Sequence, residues 1–482
     1  MLHSTITDVN RQRAILTVVC LSMFMANLDI SIVNISLPII SNHFSVSIGI
    51  VSRVVLVYFL IMTGCLLGFG RLGDTRGFKR ILIAGLSVFI AGSFLCGTAR
   101  GITHLIVFRG IQALGASMMA AMAPAVASAL LPSAIRGKAL GIIGTSAAFG
   151  ISVGPAVGGL ITAHLSWRWI FFINIPLGII AGMLALTILP KDQPDTEEKR
   201  FDLVGTAIIF SALMTLLYSL DMGQEHGWTS PLIILSFCGS FILFITFFVR
   251  EKSVAYPLID VNLFRNRNFS MGIIASLFVL MLLNGIIFLL PFYLDTARGL
   301  KIDEAGLILV IPSAVMMLMG PIAGSLSDKT GTRWLCGGGM LLCGFSLILF
   351  TLLGTQSSIL FIAVSLTLFG LTAGMFMAPN SSLVMGEASR EHAGTASSIM
   401  MVTRHAGGVL GVSLFEIIFS MSLRQTAAPE NSGLSHTTVS PDILMAGFHD
   451  AFIFGMVLCF AAALFSAGIR RNRGEAQPVD RD

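Results

Sequence analysis

Fourteen apolar runs follow one another along this chain, near 14–36, 49–69, 81–99, 104–128, 139–162, 168–189, 203–220, 231–249, 269–291, 305–325, 334–352, 357–379, 395–421 and 450–468. Each is close to the roughly 20 residues an α-helix needs to cross about 30 Å of hydrocarbon. The segments between them are too short and too poor in charge to form a soluble domain of their own. Only 11% of the 482 residues are charged while 55% are hydrophobic, against about 25% charged in ordinary soluble domains. A water-facing surface cannot be built from that supply. A β-barrel is excluded as well, because its strands alternate apolar and polar residues over about ten positions. The fold class expected is therefore an all-α integral membrane protein with fourteen transmembrane helices.

An even number of spans puts both termini on one side. The Lys and Arg residues outside the spans gather on that side, in Arg71, Arg76, Lys79 and Arg80, then Arg136 and Lys138, Arg265 and Arg267, and finally Arg470, Arg471 and Arg473. Six fall on the other side (Arg53, Arg100, Arg168, Arg298, Lys301 and Arg424), and Arg109 and Arg404 fall within spans. The positive-inside rule then makes both termini cytoplasmic in a multi-pass protein of the cell inner (plasma) membrane. The first run lacks a small-residue cleavage pattern and reads as an anchor that is kept. The seven cysteines lie in apolar runs without metal or disulfide spacing and read as packing residues. No basic stretch is interleaved with aromatics as a nucleic-acid surface would be. The partners expected are the lipid bilayer and small solutes, with the chain acting as a monomer. A Ser/Thr/Pro/Gly-rich connection at 424–448 has no readable role, and the polar tail has a disordered composition.

One repeat organises the chain. GRLGDTRGFKR (Gly70–Arg80) follows the second run and GSLSDKTGTR (Gly324–Arg333) follows the tenth; Gly70, Leu72, Asp74 and Gly77 match Gly324, Leu326, Asp328 and Gly331 at a constant offset of 254 residues. Both copies follow spans of the same direction, as in parallel bundles related by an axis along the membrane normal. The units expected are a six-helix bundle over 12–190, two inserted helices over 201–250, a second six-helix bundle over 266–468 and a tail over 469–482.

Charge inside a span is costly and marks function by default. Asp29, in LDISIVNISLP, is the only charge between Arg13 and Arg53, and it must face protein or a watery cavity. It is either a proton carrier and cation contact or a fixed structural ion pair. Asn34 faces a similar cavity or bonds a neighbouring helix. Arg53 is placed to approach Asp29 or to snorkel to headgroups. Arg109 and Gln112, one turn apart, either tune a nearby carboxylate or anchor the helix. Glu416, the only acid within a span of the second half, is a second titrating group, a contact for a cationic guest, or an interfacial residue. Proton coupling is accordingly assigned to Asp29, Arg109 and Glu416, and the substrate cavity to Asn34, Arg53, Tyr58, Gln112 and Glu416.

GISVGPAVGG places Gly150, Gly154, Pro155, Gly158 and Gly159 in the fifth run, a flat strip suited to close helix contact and either a moving or a static seam. The loop residues Gly70, Asp74, Arg76, Gly77, Lys79 and Arg80, with Asp328, Lys329 and Arg333 in the second copy, suggest a latch on the cytoplasmic side. Positive-inside anchoring explains the bases but not the acids. There is no GxxxxGK[ST], HExxH, nucleophile elbow or ligand cluster, so the chain reads as a transporter and not an enzyme, without metal or organic cofactor.

These motifs together resemble the major facilitator superfamily, and within it the fourteen-helix drug:proton antiporter branch. LDISIVNISLP is similar to that branch's first-helix signature, GRLGDTRGFKR to the superfamily's loop between helices 2 and 3, FRGIQALG to its helix-4 arginine motif, GISVGPAVGG to the antiporter motif, and WRWIFFINIP (Trp167–Pro176) to the opening of helix 6. The resemblance spans essentially the whole chain. It implies two six-helix bundles plus two inserted helices, alternating access, H+ as coupling ion through Asp29 and Arg109, a hinge or seal at Gly154–Gly159 and gating at Asp74. It also implies multidrug efflux of lipophilic, cationic or amphiphilic toxic compounds, the antibiotic-resistance role of such proteins. Arg53 in place of a usual tryptophan, Thr75 and Phe78 at usually basic positions, and Glu416 at a usually small or apolar one depart from the pattern. They leave open a narrower anionic or zwitterionic metabolite as the alternative substrate.

Overall fold

A computed structural model of the chain describes residues 8–192, 202–254, 261–388, 393–426 and 441–469. The polar tail and most of the 424–448 connection fall outside these residues. The described chain is helical throughout: α1 (Val9–Phe44), α2 (Ile48–Arg76), α3 (Phe78–Gly97), α4 (Ile102–Leu130), α5 (Ser133–His164), a single turn α6 (Trp169–Phe172) running into α7 (Asn174–Ile188), α8 (Leu203–His226), α9 (Pro231–Ser253), α10 (Arg267–Phe292), α11 (Ile302–Thr330), α12 (Thr332–Thr351), α13 (Ile359–Gly386), α14 (Ala393–Thr426) and α15 (Pro441–Ala467). Thirteen of the described helical spans are long and apolar enough to cross a membrane, with α6 and α7 forming one of them. The fourteenth, α8, is a 24-residue helix whose described apolar stretch is Val204–Leu220. Several helices run past the apolar runs that announce them, since polar end residues cap them. Asp8 accepts from the Asn10 amide at 3.1 Å at the start of α1, and Ser47 and Ser358 do the same for α2 and α13.

Helices α1 to α7 pack among themselves, chiefly α1 on α5, α3 on α4 and α2 on α4; α10 to α15 do likewise, through α11 on α13, α10 on α14 and α12 on both α13 and α15. The two bundles meet through α5 on α11 and α2 on α14, and the α8–α9 pair rests against α2 and α14. Close approach of α8 is possible because Gly64 of α2 leaves room for the Phe210 ring. Large apolar side chains stay exposed around the outside, among them Leu235 and Phe241 on α9, Leu341 on α12 and Leu360 on α13. In a soluble protein such a surface would aggregate; in a bilayer it is the lipid contact.

The repeat read from the sequence has a backbone counterpart. Gly77 (φ 103°, ψ 139°) and Gly331 (φ 89°, ψ 139°) each end one helix and begin the next in nearly the same conformation, one that L-residues with a Cβ rarely adopt.

The apolar core shows where the bundles are joined. One cluster unites the C-terminal part of α1 (Val33 to Ile40) and the first half of α2 (Ile48 to Leu60) with buried residues of α10 to α15. The second cluster has all its buried members in the first bundle, toward the end that carries the termini. The molecule is therefore continuous at the far end and divided at the terminus end.

At the start of α8, Asp202 accepts from Arg250 of α9 at 2.8 and 2.9 Å and from the Gly205 amide at 2.8 Å. The Arg250 guanidinium holds the Asp202 carboxyl below the usual carboxylate range. With the folded value depressed, the contribution is complete above about pH 4, the ordinary aspartate value, and is lost as pH falls through the folded value. The α8–α9 contact is thus expected to be indifferent to pH between 8 and 5. Asp202→Asn should lower the thermal unfolding midpoint across that range, while the wild-type midpoint falls toward that of the variant only in stronger acid.

Candidate functional site

Two features lie where the bundles meet, a cavity and a seal beyond it, and a buried polar cluster lies beside the cavity within the first bundle. The cavity has a volume of about 570 Å³, within the range typical of small-molecule sites. Its walls come from both bundles: Asn27, Ile30, Ser31 and Asn34 of α1, Phe59 of α2, and Gly141, Gly144 and Thr145 of α5 on one side. On the other stand Leu280, Leu283, Asn284 and Ile287 of α10, Met316, Met317 and Gly320 of α11, Met377 and Ser381 of α13, and Arg404 and His405 of α14. Positions 27, 30, 31 and 34 recur at helical spacing and so form one face of α1. The α5, α11, α13 and α14 residues all come from the terminus-side part of their helices, so the cavity occupies the divided end. Gly141 and Gly144 have open space before them, with nothing within 4 Å of a Cβ placed there.

Asp29 falls on a different face of α1, pointing into its own bundle, and is fully buried. Its Oδ2 pairs with Arg109 Nη1 at 2.5 Å, and its Oδ1 accepts from Gln112 Nε2 at 2.8 Å and Asn174 Nδ2 at 2.9 Å. Arg109 also donates to Gln112 Oε1 at 2.7 Å, and its guanidinium lies 4.2 Å from the centre of the Tyr58 ring. Gln112 Nε2 donates in addition to Ser93 Oγ at 2.8 Å, and the Tyr58 hydroxyl donates to Ala26 O at 3.3 Å. Five helices of one bundle thus converge on one carboxylate. Such an arrangement sets the Asp29 carboxylate against the Arg109 guanidinium and satisfies both with hydrogen bonds inside the bundle.

Of the residues assigned to the substrate cavity from sequence, Asn34 lines it, and Arg53, Tyr58, Gln112 and Glu416 are not among its lining residues. Tyr58 and Gln112 belong to the Asp29 cluster instead. Arg53 is not one of the Asp29 partners: it is half-buried on α2, one turn from Gly49. Glu416 is buried, accepts from Ser420 Oγ at 2.6 Å, and packs so closely on α2 that a Cβ on Gly49 would lie 2.8 Å from its Oε1. Glu416 therefore stands between the bundles at the far end, away from the cavity. The physical reason is reach. Arg53 and Glu416 sit near the far ends of their helices, where α2 and α14 are in contact.

The glycines of α5 serve two faces. A Cβ on Gly150, Gly154 or Gly158 would come within 2.6 Å of Phe24 O, 2.5 Å of Ser31 Cβ or 2.6 Å of Ile35 Cγ2, all on α1. Gly159 and Pro155, the adjacent stripe, face α11 of the other bundle: a Cβ on Gly159 would lie 2.6 Å from Ile302 O, and Gly306 packs against Pro155 O. The second bundle repeats the device. Gly407 and Gly411 of α14 pack on Leu280 and Met281 of α10, while Gly408 admits Phe59 of α2. The signal was present as GGVLG in α14.

At the terminus-side loop, Lys79 Nζ donates to Leu186 O and Leu189 O at 2.7 and 2.6 Å, and Asp192 accepts from the Lys79 and Arg80 amides, both at 3.0 Å. Asp192, which no motif announced, thereby holds the start of α3 onto the end of α7. Gly77 lies against the same carboxylate. Arg76, Arg80, Lys329 and Arg333 are exposed, and Gly70 has open space before it. The side chains of Asp74 and Asp328 lie outside the described residues. Among the described residues no cluster of potential metal ligands occurs.

Residues 19–412 match the sequence profile of the Major Facilitator Superfamily. The chain is 35% identical over 409 residues to riboflavin transporter RibZ of Clostridioides difficile, covering 85% of this chain and 88% of that one. It is 30% identical over 412 residues to multidrug resistance protein Stp of Mycobacterium tuberculosis, covering 85% and 76%. In three dimensions it is similar to the crystal structure of a bacterial homologue of the human lysosomal transporter Spinster, inward-facing and unoccupied, with a TM-score of 0.68 at 15% identity over 95% of this chain and 97% of that one.

Proposed function

The chain belongs to the major facilitator superfamily, and from that premise we propose that it is a proton-coupled antiporter of the fourteen-helix branch, exporting amphiphilic organic compounds across the cell membrane. It works as a monomer with both termini cytoplasmic. The observation that carries this reading is the cavity between two bundles that are joined at one end and divided at the other. Rocking the bundles would open the far end and close the terminus end around the same walls. Relatives whose names specify riboflavin or multidrug resistance support a solute of that general size.

In the proposed cycle Asp29 takes a proton when the far side is open. Loss of its charge frees Arg109 and Gln112 to rearrange, and α1 carries that change to the cavity face formed by Asn27, Ser31 and Asn34. Return to the present arrangement releases the proton on the terminus side. One pH unit supplies about 1.4 kcal/mol per proton, and each net charge moved across 100 mV about 2.3 kcal/mol more. Glu416 and Arg53 act at the far seal, and Lys79 and Asp192 keep the loop between α2 and α3 anchored while the bundles move.

Purified protein in proteoliposomes provides the test. With an imposed pH gradient, flux of at least one compound from a panel including riboflavin, tetraphenylphosphonium and organic acids is expected to rise about tenfold or more and to collapse on adding a protonophore. A panel that moves no faster with the gradient than without it overturns proton coupling.

A further inference from the structure

The two arginines within the spans are treated in opposite ways. Arg109 is buried and answered by Asp29, Gln112 and Tyr58. Arg404 is exposed to the cavity it lines, and no hydrogen-bond or ion-pair partner for it occurs among the described residues. The described cavity wall contains no aspartate or glutamate. A guanidinium left open in a membrane interior is tolerated only beside water or a counter-charge. Two further polar groups of the wall are also unanswered. Buried His405, packed against Phe59, has no partner for Nδ1, and Asn34, on the opposite wall, has none for Oδ1. Unsatisfied buried polar atoms are uncommon in folded proteins, and at a cavity wall they are free to bond ordered water or a bound group.

From this juxtaposition we infer that the cavity takes an amphiphilic organic anion, its compact acidic group held by Arg404 and its apolar body lying against Phe59, Leu283 and the methionines of α11 and α13. A carboxylate, sulfonate or phosphate matches the planar fork of a guanidinium with two parallel hydrogen bonds. The methionines accommodate bodies of differing shape. A lipophilic cation, the guest implied by the resemblance, meets like charge here with no carboxylate in the wall to offset it. The inference rests on reading this cavity as the transport site.

A series with one apolar body and three charges separates the possibilities: 1-naphthaleneacetate, 1-naphthaleneethanol and (1-naphthylmethyl)trimethylammonium. Binding is measured with radiolabelled compounds on the full chain in nanodiscs, and counterflow in proteoliposomes. The acetate is expected to bind about tenfold or more tighter than the alcohol, and the ammonium weakest. Arg404→Gln should cost the acetate roughly 10- to 100-fold, the range of a charge-assisted hydrogen bond, and leave the alcohol unchanged. Arg404→Lys should keep part of the preference, and Arg404→Glu should reverse it. Because Arg404 has no internal partner among the described residues, the Arg404→Gln midpoint of thermal unfolding should match wild type, which excludes misfolding as the cause. An ammonium bound as tightly as the acetate, acetate binding indifferent to Arg404→Gln, or no binding of any member overturns the anion assignment. Acetate binding that depends on Arg404 but yields no counterflow leaves the anion site standing and overturns the transport reading instead.

Discussion

Asp29→Leu is expected to destabilise the protein by about 3–5 kcal/mol, the usual cost of leaving a buried charge without its partner, and to abolish gradient-driven flux. The stability loss follows from geometry. Arg109 is 1% exposed and cannot turn to water, while Gln112 and Asn174 lose the acceptor of their amide hydrogens. Stability alone cannot reveal the role of the pair, because a purely structural ion pair would give the same result. The double variant Asp29→Leu/Arg109→Met resolves this. Replacing both members of a buried pair by apolar residues of similar volume is often neutral or stabilising, so the double variant should recover most of the lost stability, read as the thermal unfolding midpoint. It should still fail to accumulate substrate against its gradient, although counterflow without a proton gradient should survive. A double variant that concentrates substrate like wild type would show that Asp29 is only a structural residue. Asp29→Asn, which keeps the size and part of the hydrogen bonding, should be milder in stability and equally uncoupled.

Gly306→Val is expected to reduce transport about fivefold or more by wedging apart the far-end seal. Gly306 packs directly on Pro155 O and Gly159 Cα across the bundle boundary, so any side chain there must displace backbone. Forcing extra methyl groups into a close contact costs about 1–3 kcal/mol, which corresponds to a five- to 150-fold shift between two conformations. The shift should favour the arrangement in which α5 and α11 have separated at the far end. Thiol labelling at Thr145→Cys, in a background with Cys20, Cys65 and Cys238 replaced, should then slow by a similar factor, since Thr145 lines the cavity seen here. Gly182→Ala on α7, with open space before it and outside the cavity wall, is the matched control and should label and transport normally. Equal labelling rates in Gly306→Val and wild type would show that the α5–α11 contact does not set the balance.

Asp29 and Arg109 are each legible in the sequence, because the cost of intramembrane charge is visible in a linear string. Their pairing depends on α1 and α4 lying side by side, with Asn174 reaching in from α7, and nothing local encodes that. Glu416 and Arg53 were assigned to the cavity on charge and depth, yet α2 and α14 touch at the far end and hold Glu416 in the seal. In the sequence Arg404 is only a basic residue inside a span. Its importance lies in what surrounds it, a wall without carboxylates built from α1, α2, α5, α10, α11 and α13. The glycines of α5 were legible as a strip, but their division between a seam within one bundle and a contact between bundles depends on which helices flank α5.

What the sequence by itself determined is the set of facts that follow from one residue meeting its solvent: helices long enough for a bilayer, a repeated glycine turn at Gly77 and Gly331, and a carboxylate that must be compensated. The tertiary structure decided which groups share a space. Burial pairs Asp29 with Arg109 and leaves Arg404 open, because the free energy of a charge is fixed by neighbours brought from distant parts of the chain, and the order of residues does not specify that distance.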